Sequence, residues 1–271
     1  MKILFISPYA PTPIRTRPFN FIRALKNAGQ DVSLATNWEN SYERQSLNQL
    51  ANEGIEVIET HLTRPRILFN LGRAIIINTP WQSQYSFNPT LAKKIVCFIR
   101  DYYQNCDIIH IEHLRGASYG LYIKKYFETL PFSVPIIWDS VDNISALFEQ
   151  AAHNNQGFFG RVITRFELPR TRRFETFLTS QFEGMLVTSK LDKEAFERLH
   201  GGTLQNSKIE VVTNGVDYKL FSPPVKPRQA DVVVYSGKLS YHANVASALF
   251  LIHEIMPIIW QSRPSVKIML V

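Results

Sequence analysis

Four groups of residues in this chain have the types and placement for chemistry. His110, Glu112 and His113 close the apolar run Asp107-Ile108-Ile109-His110-Ile111-Glu112-His113. A histidine there could polarise a hydroxyl near neutral pH, or be a core imidazole satisfied by backbone. Alternation along a strand sends His110 and Glu112 to one face and Ile111 and His113 to the other, so the two histidines cannot serve one role equally. Lys238 follows Gly237 at the end of Val232-Val233-Val234-Tyr235, where a cation could neutralise charge on a departing phosphate. Asn244 precedes an apolar helical stretch and reads as an N-cap whose helix aims free N–H groups at an anion. The plain alternative is a solvated lysine and an ordinary cap. Arg15 and Arg17, in the proline-rich loop Ser7 to Pro18, could grip phosphate in a bidentate manner or simply be solvated. Asp139 and Asp142 could be an acid pair or a metal site, but the helix that follows favours Asp142 or Ser140 as its cap, and no metal is expected.

These groups need elements to hold them. Ile3 to Ile6 is a continuous apolar strand of the kind buried on both faces of a parallel sheet. A loop, a helix from about Phe19 to Ala28, and a strand over Asp31 to Ala35 complete a βαβ unit, right-handed by default. Helix and strand continue to alternate: Glu43 to Asn52, Ile55 to Ile58, Pro89 to Tyr103, the His110 strand, Ala117 to Phe127, Val134 to Asp139, a helix over Phe158 to Phe182, Met185 to Ser189, and Asp192 to Leu199. Pro65 to Gln84 gives no regular pattern and reads as irregular. The alternation, without internal repeat, predicts one Rossmann-like doubly wound domain over 1–215. Ligands of such sheets bind at the C-terminal ends of the strands, where the His110 strand and the first loop both end. Asn214-Gly215 is a turn signal, and 216–230, with Pro223, Pro224 and Pro227, reads as an interdomain linker. Over 231–271 the chain offers one further βαβ unit, with Pro257 expected to kink the last turn of its helix.

Composition narrows the partners. The chain has 271 residues, is 45% hydrophobic and 20% charged, and carries a formal charge of +7. A basic balance favours anionic partners, yet no nucleic-acid signature is present, so no nucleic acid is expected. No apolar run looks long enough to span a bilayer, and prolines follow the first strand where a signal peptide would continue. A cytoplasmic protein is the expectation. Cys97 and Cys106 lack metal spacing and read as reduced core thiols. Arg161, Arg165, Arg170, Arg172 and Arg173 gather around Pro169 and would suit either a solvated face or peripheral contact with the inner, anionic face of a membrane.

The run Lys208-Ile209-Glu210-Val211-Val212-Thr213-Asn214-Gly215-Val216-Asp217, followed at this separation by Tyr235-Ser236-Gly237-Lys238, resembles the midsection of family 4 glycosyltransferases. Lys2 to Thr36 and Asp107 to His113 are compatible with that family's first domain. The resemblance implies a GT-B fold, with an acceptor-side Rossmann-like domain followed by a donor-binding one that is here truncated after its first unit. It further implies retaining transfer from a nucleotide sugar, which is substrate and not cofactor, to a hydroxyl of a glycan or lipid-linked acceptor. By the same resemblance Lys238, Gly237 and Asn244 hold the donor phosphates, and His113 or His110 serves the reacting centre. The sequence departs from the family in three places. The first loop lacks the usual glycine pair, which also counts against dinucleotide binding. The second cation of the donor site is replaced near Asn244. The family's E-x7-E motif lies beyond the point corresponding to Val271, so catalysis by this chain is expected to be absent or impaired, and a non-catalytic acceptor- or partner-binding module is the alternative.

Overall fold

The structure is a computed structural model that describes residues 1–101, 106–153, 158–201, 208–218, 221–223, 230–237, 239 and 242–271. Two compact units emerge, Met1–Gly215 and Val216–Val271. Most of the proline-rich connector lies outside the described residues.

In the first unit the order is β1 (Lys2–Ser7), α1 (Thr16–Asn27), β2 (Asp31–Trp38), α2 (Ser41–Asn52), β3 (Glu56–His61), α3 (Arg64–Ile76), α4 (Trp81–Tyr85), α5 (Pro89–Asp101), β4 (Ile108–Glu112), α6 (His113–Phe127), β5 (Ile136–Val141), α7 (Ile144–His153), α8 (Phe158–Thr179), β6 (Gly184–Val187), α9 (Lys190–Leu199) and β7 (Lys208–Val211). The strands form one sheet in the order β3-β2-β1-β4-β5-β6-β7, and every pairing is parallel. The order turns back between β1 and β4, the switch point of a doubly wound sheet, where adjacent crossovers leave on opposite faces and open a crevice.

Strand alternation builds a separate core on each face. Leu4, Ile6, Ile109, Ile111, Trp138 and Met185 belong to the larger core, with Leu91 and Ile95 of α5 and Ala117 and Ile123 of α6. Phe5, Val32 and Leu34 belong to the other, with Ile22 of α1 and Leu47 and Leu50 of α2. Close approach of α6 to β4 requires Gly120, because a Cβ there would run into the Ile111 side chain of β4 and meet the Phe182 ring at 2.8 Å. Side-chain caps start α2 and α9: Asn40 accepts from the Glu43 N–H at 3.0 Å and Ser189 from the Asp192 N–H at 3.1 Å. Each such cap contributes about 1 kcal/mol.

Several local expectations change. Pro65 to Gln84 is largely helical, because Pro65 sits in the first turn of α3, where a missing N–H costs nothing. Helix α1 begins at Thr16, before Pro18, for the same reason, so Arg17 lies in a first turn and not in a loop. The cap of α7 is Asn143, whose Oδ1 accepts from the Ala146 N–H and the Ser145 hydroxyl, both at 2.8 Å; Asp142 and Ser140 are one and three residues too early. Cys97 points to solvent while Cys106 is buried.

The second unit pairs β8 (Val232–Tyr235) with β9 (Lys267–Leu270) in parallel. The connection is α10 (His242–Phe250), a π-helical stretch over Leu251–Ile255, and α11 (Met256–Ser262). Irregularity therefore starts before Pro257, whose missing N–H removes a helical bond one turn back. By length and composition Asn244–Ser262, with mean hydropathy 1.3, is long and apolar enough to cross a membrane. That corrects the expectation that no stretch would be.

Candidate active site at the C-terminal edge of the sheet

Register brings the site together before any side chain is considered. In the β1–β4 pairing Phe5 lies opposite His110, and in the β4–β5 pairing Glu112 lies opposite Asp139. His110, Glu112 and Asp139 thus share the face covered by α1, and the first turn of α1 delivers Arg17 to them. Its Nε and Nη2 both donate to Asp139 Oδ2, at 3.0 and 2.7 Å. Nη1 donates to the Val212 carbonyl at 2.9 Å and to Asn214 Oδ1 at 3.0 Å. One buried guanidinium therefore joins α1, the end of β5 and the Asn214-Gly215 turn. A small cavity of about 170 Å³ opens beside it, lined by Thr16, Arg17, Asn20 and Phe21 and by Thr213 to Gly215.

The His110 ring stacks on Phe5, centroids 4.2 Å apart. Its Nε2 lies 3.7 Å from Glu112 Oε2 and 3.6 Å from Asp139 Oδ2, too far for hydrogen bonds. His110 Nε2 and both carboxylate oxygens of Glu112 are buried without a hydrogen-bond partner. Burial, opposed by Asp139, holds His110 down at about 4. Burial pushes Glu112 up to about 8, with Arg17 opposing, and raises Asp139 too, against Arg17 and His110. At neutral pH the site therefore holds an uncharged imidazole and a protonated Glu112 beside the arginine-paired Asp139. Such a trio can shuttle or hold a proton.

Ligand-type atoms of His110, Glu112 and Asp139 all lie within 4.8 Å of one another, the grouping among the described residues that could hold a metal ion. Arg17 already places a positive charge on the Asp139 oxygen nearest His110, which opposes a cation there.

His113 lies just beyond, on the other side of the strand end. Its φ is +64°, its Nδ1 accepts from the Arg115 N–H at 3.3 Å, and its carbonyl accepts from Trp138 Nε1 at 3.4 Å. Burial and Arg115 lower its pKa to about 3. Tyr9 sits edge-on to this ring at 6.3 Å, with the Arg15 guanidinium 4.7 Å over its own ring. Burial and Glu112 raise the Tyr9 pKa. Arg15 also pairs with Glu43 at 2.9 Å, and Arg115 stacks over Tyr85 at 4.9 Å.

The residues singled out from sequence are distributed as follows. His110, His113, Arg15 and Arg17 stand at this one edge. Arg17 is neither solvated nor in a loop, and its donors are directed at Asp139, Val212 and Asn214. Gly237 and Asn244 belong to the second unit, where a Cβ on Gly237 would meet the Asn244 side chain at 3.2 Å. Asn244 is the third residue of α10 and not its cap; its carbonyl accepts from the Tyr235 hydroxyl at 3.1 Å. Lys238 lies outside the described residues. Of the arginines near Pro169, Arg170 turns inward to Glu167 at 3.3 Å and Arg172 pairs with Glu149 at 2.6 Å, while Arg165 and Arg173 are exposed. The Arg161 side chain lies outside those described. Sequence reading missed Asp139 as the partner of Arg17, Tyr9 and Arg115, and it placed Glu112 at the strand end without a role. For Glu112 the signal existed, since an acid within an apolar strand is costly unless used.

No family model matches the chain, and no curated protein matches it. Among solved structures it is similar to UGT71G1 of Medicago truncatula complexed with UDP-glucose, at 12% identity and a TM-score of 0.49 over 88% of this chain and 60% of that one. It is similar to Arabidopsis thaliana UGT89C1 complexed with UDP, at 16% identity and a TM-score of 0.48 over 87% and 57%. A third is a UDP-glucosyltransferase from Polygonum tinctorium capable of glucosylating indoxyl, at 10%, 0.48, 87% and 57%. The chain spans 57 to 60% of the length of these structures.

Proposed function

We propose that this chain forms the acceptor side and the first donor-side unit of a GT-B type glycosyltransferase resembling family 4. The reaction would be retaining transfer of a hexose-like unit from a nucleotide sugar to a hydroxyl of a growing glycan or lipid-linked glycan, as in polysaccharide biosynthesis. The bond from anomeric carbon to diphosphate oxygen breaks, the bond to the acceptor oxygen forms, and a nucleoside diphosphate leaves. The observation that carries this reading is the convergence of Arg17, His110, Glu112 and Asp139, with His113 beside them, at the switch-point edge of a parallel sheet. That is where such sheets take ligands, and buried groups with pKa values driven apart are the mark of acid–base work. The Asn214-Gly215 junction and Gly237-Lys238 supply the sequence support.

In this reading His113 and His110 serve the reacting centre, and Gly237, Lys238 and Asn244 receive the diphosphate. Arg15 stands over the entrance, and Arg17 positions Asp139 and the Asn214 turn. No cofactor or metal takes part. The protein works in the cytoplasm, peripherally on the inner face of the membrane, and the residue blocks 1–215, 216–230 and 231–271 are acceptor domain, linker and donor-side unit.

Titration calorimetry of the purified chain against a panel of nucleoside diphosphates tests this. The expected result is binding of at least one, weakened about tenfold or more by Lys238→Ala, as fits loss of a charge-assisted contact. Binding of a dinucleotide in place of diphosphates would overturn it. Acceptor glycan binding with no nucleotide binding would favour the module reading.

A further inference from the structure

Helix α3 is amphipathic in the inverse sense for a helix on a water-facing surface. Its inner side carries Ile67, Asn70 and Ala74, and Asn70 donates to the Tyr85 and Phe87 carbonyls at 3.2 and 2.7 Å. Its outer side carries Leu68, Phe69, Ile75 and Ile76, exposed to 69%, 61%, 50% and 85%. A polar residue thus anchors the buried face while four large apolar side chains stand in water, a contiguous patch of the kind that marks an interaction surface.

The charges that α3 itself carries have one sign. From Leu62 to Pro80 the sequence holds Arg64, Arg66 and Arg73 and no acid. Arg170 of α8 donates to the Ile75 carbonyl at 3.3 Å and to Asn78 Oδ1 at 3.1 Å. Phe166, whose ring lies 4.0 Å beneath that guanidinium, is 42% exposed and extends the apolar surface onto α8, next to the exposed Arg165.

We propose that the outer face of α3, continued by the start of α8, docks on an anionic lipid bilayer, with α3 lying along the headgroup boundary. Leucine, isoleucine and phenylalanine on one face with arginines at its margins is the composition of an interfacial helix. A partner protein buried on the same face would need acids to match Arg64, Arg66 and Arg73, which make no ion pair among the described residues, whereas an anionic leaflet supplies that charge over the whole area. Helix α3 also leaves the sheet from the C-terminal end of β3, the edge that carries Arg17 and His113, so docking would present this edge to molecules held in the leaflet. This last link, to a lipid-borne acceptor, rests on the glycosyltransferase reading; the docking itself does not.

The test is flotation of the full chain with vesicles of phosphatidylcholine alone or with phosphatidylglycerol added, at low and high salt. Binding is expected to the anionic vesicles only, and to weaken with salt. Phe69→Glu combined with Ile76→Glu should lower partitioning by about tenfold or more, since two apolar side chains no longer leave water, with the circular dichroism spectrum unchanged. Arg64→Glu and Arg73→Glu, which leave the apolar face intact, should each cost about fivefold or more at low salt. Absence of flotation would overturn the proposal, as would equal flotation of all variants. A dimer that Phe69→Glu with Ile76→Glu turns into monomer, without vesicle binding, would also overturn it and assign the face to a second copy. Nucleotide titration of the same variants separates failure here from failure of the transferase reading.

Discussion

Glu112 and Glu175 are both carboxyl groups without solvent contact, at 1% and 0% exposure, and burial raises both, to about 8 and about 7. Their surroundings differ. Glu175, on α8, accepts from the Ile144 N–H at 2.8 Å and the Ser145 N–H at 3.1 Å. Those are free donors at the N-terminus of α7, so the acid returns its desolvation cost by capping a helix. Glu112 has no hydrogen-bond partner for either oxygen. Nothing in the packing of the sheet repays that, and an apolar residue would fit the strand better. Folding explains one buried acid and leaves the other, which has no hydrogen-bond partner, unexplained.

The largest test concerns the cation on the Glu112 side. Arg17→Ala leaves Asp139 buried and unpaired and removes the charge that favours ionisation of Glu112. We expect a loss of about 3–5 kcal/mol in urea denaturation, the cost of breaking a buried pair from one side. Arg172→Ala, which breaks the exposed pair with Glu149, should cost under about 1 kcal/mol. Similar losses for the two would remove the basis for treating the Arg17 cluster as special.

The next test separates the two acids by pH. A carboxyl raised in the folded state binds its proton there at pH values where the unfolded chain has lost it. The stability it contributes is complete below its unfolded value of 4.5 and is lost as pH rises through the folded value of about 8 for Glu112. His110, lowered from 6.5 to about 4, acts in the opposite direction, adding stability as pH rises between those values. The two offset each other below pH 6.5, and Glu175 is spent by about 7. Between pH 7 and 8 stability should therefore fall, and Glu112→Gln should flatten that fall by about 1 kcal/mol. Glu175→Gln should leave the slope above pH 7 unchanged while lowering stability overall by about 1–3 kcal/mol, through the lost helix cap. Denaturation curves of both variants at pH 6, 7 and 8 decide it.

The same contrast explains what could be read from the sequence. The alternating strands and helices were legible because central strands such as β1 and β6 are apolar on both faces. The edge that carries His110 and His113 followed from strand direction alone, and the shared face of His110 and Glu112 followed from alternation. The partnership of Arg17 with Asp139 did not, because it depends on register across β1, β4 and β5 and on where α1 starts, with the partners 122 positions apart. The α3 region was illegible for a different reason. Its apolar residues face outward, so periodicity gave no sign of which side was core, and the buried Asn70 broke the pattern that remained.

The smallest expected effect concerns the backbone at the site. Val141 has φ +68°, and the Asp142 N–H donates to the Ser140 carbonyl at 2.9 Å, a tight three-residue γ-turn that a β-branched residue adopts at a cost. Directly after β4, His113 holds φ +64°, so a positive-φ residue other than glycine stands at the C-terminal end of both β4 and β5, the strands that carry Glu112 and Asp139. The turn at Val141 orients Asp139, whose Oδ1 accepts from the Val141 N–H at 3.1 Å. Replacing Val141 by glycine removes about 1–2 kcal/mol of strain and costs about 0.5–1 kcal/mol in unfolded-chain entropy. We expect Val141→Gly to be more stable by up to about 1 kcal/mol in urea denaturation. If the strain were repaid by packing of the valine side chain, as the cost of Glu175 is repaid by its helix cap, the variant would instead be less stable, and Val141 would move to the structural side of the comparison.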